Sequence, residues 1–224
     1  MNTSFNLKNT QIVLKTYKVN PVAVKAPSRC GLDNNIAWEK AEVLCDFNSP
    51  WDKSAVNKIE FRVLYSKTHL YFSFKVFDNA VYVDRLDDTY NSINNSDRVE
   101  LFFRSDKNLN PYYCLEIDPT PRIMDFRAKS DKNFDFNWHW PAKDIVVESV
   151  KTENYFKVEG AISLSSLKTF KLLNDGIIQT GLYRAKYRKQ ADGSYKPTWI
   201  TWVDPKTESP DFHNASSFGV LKLE

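Results

Sequence analysis

Lys58-Ile-Glu-Phe-Arg-Val-Leu-Tyr65, Leu70-Tyr-Phe-Ser-Phe-Lys-Val-Phe-Asp78 and Asp97-Arg-Val-Glu-Leu-Phe-Phe-Arg104 decide the fold. Each run is short, rich in aromatic and β-branched residues and bounded by polar turn residues, as strands are. Ile59, Phe61, Val63 and Tyr65 alternate with Lys58, Glu60, Arg62 and Leu64, and Leu70, Phe72, Phe74 and Val76 alternate with Tyr71, Ser73, Lys75 and Phe77. A period of two means sheets with one face buried. In the third run Val99, Leu101 and Phe103 share a face, so Arg98, Glu100, Phe102 and Arg104 share the other. A carboxylate in mid-strand among aromatics makes Glu100 the first candidate for a role beyond packing.

Downstream, residues 106–111 form a turn into a strand at 112–118. A hairpin centred on Asn108 sets Glu100 opposite Glu116, with Cβ atoms ~5 Å apart. Two carboxylates that close repel unless a cation or ligand hydroxyls separate them. Further strands are expected at 144–150, 155–163, 177–188, 198–202 and 220–223, with one helical turn at 164–170. Upstream, residues 11–17 are a candidate strand, Trp38 a plug for one end of the core, and Trp51 an exposed residue of a turn-rich loop. Residues 79–96 form a polar insertion long enough to bind a ligand. Residues 119–141 read as irregular and end in Phe134-Asp-Phe-Asn-Trp-His-Trp-Pro141. About ten short strands with regular turns predict an all-β, antiparallel β-sandwich of jelly-roll type. Residues 1–31 are read as a lead-in packed on a domain spanning 32–224.

The chain has 224 residues, 42% hydrophobic and 14% aromatic, enough for a sizeable core. Its 31 Lys and Arg against 28 Asp and Glu leave +3, without the clustered basic charge of a nucleic-acid surface. No apolar run approaches the roughly 20 residues of a membrane span. The first residues have no signal-peptide pattern, which points to the cytoplasm unless an export signal lies outside this sequence. Cys30, Cys45 and Cys114 cannot all pair internally and lack metal-ligand spacing, so reduced thiols are expected.

Trp38, Phe61-Arg-Val-Leu-Tyr65, Leu70-Tyr71, Asp78, Asp97-x-Val-Glu100, Val158-Glu-x-Ala-Ile162 and Phe218-Gly219 occur in an order that resembles family 9 carbohydrate-binding modules, a branch of the DOMON-like sandwiches. The resemblance covers about residues 32–224, and Tyr183-Arg184 with Asp211-Phe-His213 is similar to a bacterial branch found near polysaccharide-degrading enzymes. It implies a sugar clamped between two tryptophans, its hydroxyls bonded by a glutamate, an arginine and an asparagine. Glu100 matches that glutamate. The two tryptophan positions fall on Asn94 and Phe212, the arginine falls close to Glu116, and the asparagine falls on Ser209. Tyr82, Tyr90, Trp138 and Trp140 are candidates for a replacement wall.

Flat aromatic faces suit the apolar side of a sugar ring, and planar polar groups suit its hydroxyls. The candidate ligand-binding set is therefore Glu100, Glu116, Arg184, Phe212, His213, Asn94, Tyr90, Trp138 and Trp140. The competing structural roles are an ion-pair cluster of Glu100 and Glu116 with Arg98 or Arg184, a salt bridge for Arg184, and core plugging for the tryptophans. A glycoside hydrolase using Glu100 and Glu116, and a protein-interaction sandwich that has lost sugar binding, are the alternative functions. Some DOMON-like relatives bind haem; Met124 and His139 are the only pair that could serve it here. No resident cofactor is expected; calcium is the one ion that Asp84, Asp87 and Asp88 could hold, with a solvated acidic loop as the plain reading.

Overall fold

The alternation of the aromatic runs is realised as two packed layers of sheet. The computed structural model describes residues 14–28, 31–33, 35–53, 55–85 and 87–224. In chain order its strands are β1 (Thr16–Pro21), β2 (Ile59–Tyr65), β3 (His69–Val76), β4 (Arg98–Arg104), β5 (Tyr112–Ile117), β6 (Ile123–Lys129), β7 (Asn133–Asp135), β8 (Ile145–Lys151), β9 (Phe156–Ser163), β10 (Leu173–Asn174), β11 (Ile177–Lys189), β12 (Tyr195–Thr201) and β13 (Gly219–Leu223). Two short helices, α1 (Tyr90–Asn94) and α2 (Leu164–Thr169), accompany them.

One layer runs β7-β6-β5-β4-β11-β13, with β10 and β12 also pairing to β11; the other runs β2-β3-β9-β8. β1 joins them. Its first residues pair in parallel with β13, and Asn20 and Pro21 pair in parallel with β2. These are the two parallel pairings in an otherwise antiparallel sandwich, and they make the sheet mixed rather than wholly antiparallel as the sequence suggested. Of the expected strand at 11–17, residues 11–13 lie outside the described residues; the described strand is β1.

Val99, Leu101, Phe103, Leu115 and Ile117 face Phe61, Val63, Phe72, Phe74 and Val158 between the layers, all at most 1% exposed. The outer face of β4–β5 is also covered. Phe102, Tyr112, Cys114, Met124, Phe126, Tyr183, Phe212 and Phe218 form a second cluster there. All seven residues of β4 are therefore buried. The cover comes from the segment before β13 and from the chain after β6.

That cover was not expected. Residues 119–141 hold β6 and β7, because Met124, Phe126 and Ala128 alternate with Asp125 and Arg127 and pack onto β5. Residues 79–96 hold α1, whose N-cap Thr89 accepts the Ser92 amide while Asp87 accepts that of Thr89 at 3.0 Å. Trp38 sits beside a small satellite cluster around Leu64 and Tyr71. Trp51 is half-buried, its indole N–H bonded to the Thr207 carbonyl at 3.0 Å. Cys45 and Cys114 are free thiols, and Cys30 lies outside the described residues. No described helix is long and apolar enough to cross a membrane.

Candidate ligand-binding site

The hairpin register puts Glu100 directly opposite Glu116, and Tyr183 of β11 opposite Glu100 on the other side. All three point to the outer face. There Glu100 and Glu116 floor a cavity of about 580 Å³, a size ordinary for small-ligand pockets. Its walls come from Tyr90, Phe126, Phe134 and Phe136 on one side and Trp199, Phe212 and His213 on the other.

The floor is an ion triad. Arg98 Nε lies 2.5 Å from Glu116 Oε2 and 3.0 Å from Glu100 Oε1, with all three side chains at most 4% exposed. One N–H cannot align on two acceptors. It donates to Glu116, which leaves buried Glu100 Oε1 without a hydrogen bond. The other guanidinium nitrogens point at α1, Nη1 to the Asn94 carbonyl at 2.6 Å and Nη2 to Asn94 Oδ1 at 3.2 Å. Burial and the neighbouring Glu116 push the Glu100 carboxyl up to about 8, against the pull of Arg98. Burial likewise raises Glu116. Burial works against the charge of Arg98, but the two carboxylates hold it firmly protonated. Both carboxyls are thus biased toward holding a proton, the pair being harder to ionise twice than once.

The aromatic walls are held from behind. Tyr183 carries the Phe212 ring and bonds Ser217 Oγ at 2.6 Å, tying the covering segment to β11. Gly181 makes this possible, since a Cβ there would meet the Tyr183 hydroxyl at 1.9 Å. Trp199 meets Phe212 edge-on at 5.5 Å, and Trp51 packs on it at 5.8 Å. On the far side Phe126, Phe134 and Phe136 lie 4.8 to 5.8 Å from one another. His213 bridges the sides, its Nδ1 2.9 Å from the Tyr112 hydroxyl, and burial pushes its pKa down to about 4, so it is neutral at pH 7. At the rim Lys132 pairs with Asp211 at 3.3 Å.

Of the residues singled out from sequence, Glu100, Glu116, Phe212, His213, Asn94 and Tyr90 line this cavity. Arg184, Trp138 and Trp140 do not. Arg184 sits one residue out of phase with Tyr183, so it points between the layers, where its Nη2 meets Asp78 and Asp97. Lys186 joins them, 2.9 Å from Asp78 and 3.1 Å from Asp97. The acid that opens Asp97-x-Val-Glu100 therefore holds β11 to β4, also accepting the Tyr187 amide at 2.5 Å. Trp138 and Trp140 are carried away from the cavity because Asp125, facing the interior side of β6, accepts the Trp140 amide at 2.5 Å. Trp140 is 4% exposed among Phe103, Tyr113 and Phe170, its indole bonded to Ser166 Oγ at 3.1 Å. Tyr82 instead stacks on Tyr195 at 3.6 Å.

Sequence reasoning named Arg98 only as an alternative ion-pair partner of Glu100 and Glu116, the pairing the structure contains, and missed Trp199, Phe126, Phe134 and Phe136. The signals were present. In Thr198-Trp-Ile-Thr-Trp202 the core residues Ile200 and Trp202 are in phase, which turns Trp199 outward. Among the described residues no three His, Cys, Asp or Glu side chains are grouped as a metal site. The carboxylate of Asp87 accepts the amide and hydroxyl of Thr89, and that of Asp88 lies 3.3 Å from Arg122 Nη1, so Asp84, Asp87 and Asp88 do not converge on a calcium ion. His139 Nδ1 faces the Tyr90 hydroxyl and Asp125 rather than standing free as a haem ligand.

A β-sandwich that covers the outer face of one layer and leaves an aromatic-walled, acid-floored cavity in the cover is the architecture of a small-ligand binding module. The model described as carbohydrate family 9 binding domain-like matches residues 32–224, and the chain belongs to that family. Among solved structures, a protein of Bacteroides uniformis ATCC 8492 provisionally assigned as carbohydrate-binding is 15% identical with a TM-score of 0.72, over 95% of this chain and 100% of that one. A family 9 carbohydrate-binding module of Caldicellulosiruptor kristjanssonii is also 15% identical. Its complex with glucose has a TM-score of 0.59, covering 94% of this chain and 96% of that one; its complex with cellotriose has 0.58, covering 94% of each. At these identities the shared property is the fold. The search of curated proteins found no match. The chain is a β-sandwich of the carbohydrate-binding family 9 type.

Proposed function

We propose that this chain binds carbohydrate in the outer-face cavity, with a sugar ring laid against the aromatic walls and its polar groups on the Arg98–Glu100–Glu116 floor. The observation that carries the reading is Glu100, a buried carboxyl that lines the cavity beside Glu116 and whose Oε1 lacks a hydrogen bond. A buried acceptor left unmatched is costly, and a ligand donor relieves that cost. Phe136, 46% exposed, and Phe134, 36% exposed, present apolar faces at the mouth. The solved complexes of the Caldicellulosiruptor kristjanssonii module with glucose and with cellotriose support a sugar as the occupant.

Hydrolysis by Glu100 and Glu116 fits the geometry less well. A glycosidase needs its two carboxyl groups to flank the scissile bond with room for a water or the reacting carbon between them. Here the Arg98 guanidinium occupies the space between them.

Calorimetric titration against a glycan panel tests the proposal. Saturable binding of at least one glycan is expected, weakened by ~1–3 kcal/mol in Glu100→Ala. No binding to any glycan at millimolar concentration overturns it, and a stoichiometric protein partner captured without glycan then favours an interaction module. Release of reducing ends that vanishes in Glu100→Gln and in Glu116→Gln would make the chain a hydrolase.

A further inference from the structure

Arg98 alone cannot balance the floor once both of its acids ionise; a proton held on the pair otherwise makes up the difference. Arg98 faces two carboxylates, Glu100 and Glu116, and its remaining donors are engaged by Asn94 of α1. The other charged residues lining the cavity, Lys132 and Asp211, pair with each other at the rim. His213 is neutral, and the remaining walls are the rings of Tyr90, Phe126, Phe134, Phe136, Trp199 and Phe212. With both glutamates ionised, the cavity holds one uncompensated negative charge at its buried end. Hydroxyl donors can bond Glu100, but they cannot neutralise it.

We propose that the sugar bound here is an amino sugar with a free, protonated amine, its ammonium group set against the Glu100–Glu116 pair from the cavity side. This deepens the carbohydrate reading above and rests on it. The ammonium supplies the donor that Glu100 Oε1 lacks and the positive charge that the triad lacks. A charge-assisted bond to a buried carboxylate is roughly twice as strong as a neutral one. The aromatic walls favour the same ligand, because ring faces attract cations once water is excluded. Repulsion from Arg98 is limited, since its Nη1 and Nη2 are directed to α1 while its Nε is bonded to Glu116. Because burial and mutual repulsion favour a proton on the pair, an ammonium ion bound there takes its place: the Glu100–Glu116 pair goes from one proton to none, and that proton passes to solvent.

The test titrates the chain with three probes of matched length, a β-1,4-linked glucosamine disaccharide, its N,N′-diacetyl form, and cellobiose. Near neutral pH the free amine is expected to bind at least about tenfold more tightly than either neutral probe. Its binding heat should change between buffers of different ionisation enthalpy, reporting a released proton. Glu100→Gln and Glu116→Gln should each remove that preference. Proton release in the unsubstituted chain keeps the test sharp even if a variant folds poorly. Equal binding of cellobiose or the diacetyl probe, or binding of any other glycan with none by the amine, overturns this inference and leaves the carbohydrate site standing. No binding by any glycan removes both.

Discussion

The ring of Phe212 lies flat on that of Tyr183, with centroids 4.1 Å apart and planes 13° from parallel. One ring belongs to the sheet and the other to the segment that covers it, so the stack is what turns a loose connection into a cavity wall. Phe212→Ala should lower stability by about 3 kcal/mol, the low end of the roughly 3–5 kcal/mol for an enclosed phenylalanine, because one side of this ring already faces open space. Glycan affinity should fall with it. Tyr183→Phe removes only the hydroxyl's bonds to Ser217 and to the Phe212 carbonyl and should cost about 1 kcal/mol. Urea denaturation of the two variants measures the difference.

The Glu100–Glu116 pair makes stability depend on pH in an unusual direction. A carboxyl whose folded-state pKa is raised stabilises the fold fully below its unfolded value and loses that contribution as pH rises through the folded value. For Glu100 the window runs from the ordinary 4.5 to about 8. His213 acts oppositely, its pKa lowered from 6.5 to about 4, so its contribution is intact above 6.5 and lost as pH falls through 4. Between pH 6.5 and 8 the glutamate effect stands alone. Denaturant midpoints should fall across that interval, and Glu100→Gln should flatten the decline; a stability that rises there would contradict the buried triad.

Asp97 illustrates how much of the pattern was legible. From sequence, Asp97-x-Val-Glu100 was a recognition motif with Glu100 as its working residue, and strand alternation correctly sent Glu100 outward and Val99 inward. The hairpin around Asn108 correctly placed Glu116 opposite. Alternation could not show that Asp97, at the strand's edge, binds Arg184 and Lys186 across the chain, because such pairing depends on which strand becomes the neighbour. The same limit hid the outer wall. Phe134 and Phe136 are anonymous aromatics until β6 and β7 extend the sheet and bring them over Phe126.

With its side chain fully buried, Asp97 should be costly to replace. Removing one partner from a buried ionic cluster leaves its cations uncompensated, at about 3–5 kcal/mol. Burial raises the Asp97 carboxyl although Arg184 and Lys186 pull it down, whereas Asp78 is held below the ordinary range by the same two cations, against its burial. Asp97→Asn should therefore be less damaging than Asp78→Asn, the more firmly ionised partner. Thermal denaturation ranks the two, and the reverse order would show that the Tyr187 amide bond outweighs the charges.

Aromatic residues of one short segment, 134–140, should separate into two kinds. Phe136 is 46% exposed at the cavity mouth, whereas Trp140 is 4% exposed with its indole bonded inside. Phe136→Ala removes little packed surface, so its stability should stay within about 0.5 kcal/mol of the parent. Its glycan affinity should drop by on the order of 1 kcal/mol, the scale of one ring contact. Trp140→Phe should do the opposite, losing stability because the buried indole bond to Ser166 Oγ is lost and a void opens beside Phe103 and Phe170. At temperatures where that variant remains folded, its affinity should match the parent. Paired denaturation and titration of the two variants decides whether the ligand meets the phenylalanines, as the cavity requires, or the tryptophans that looked more eligible in the sequence.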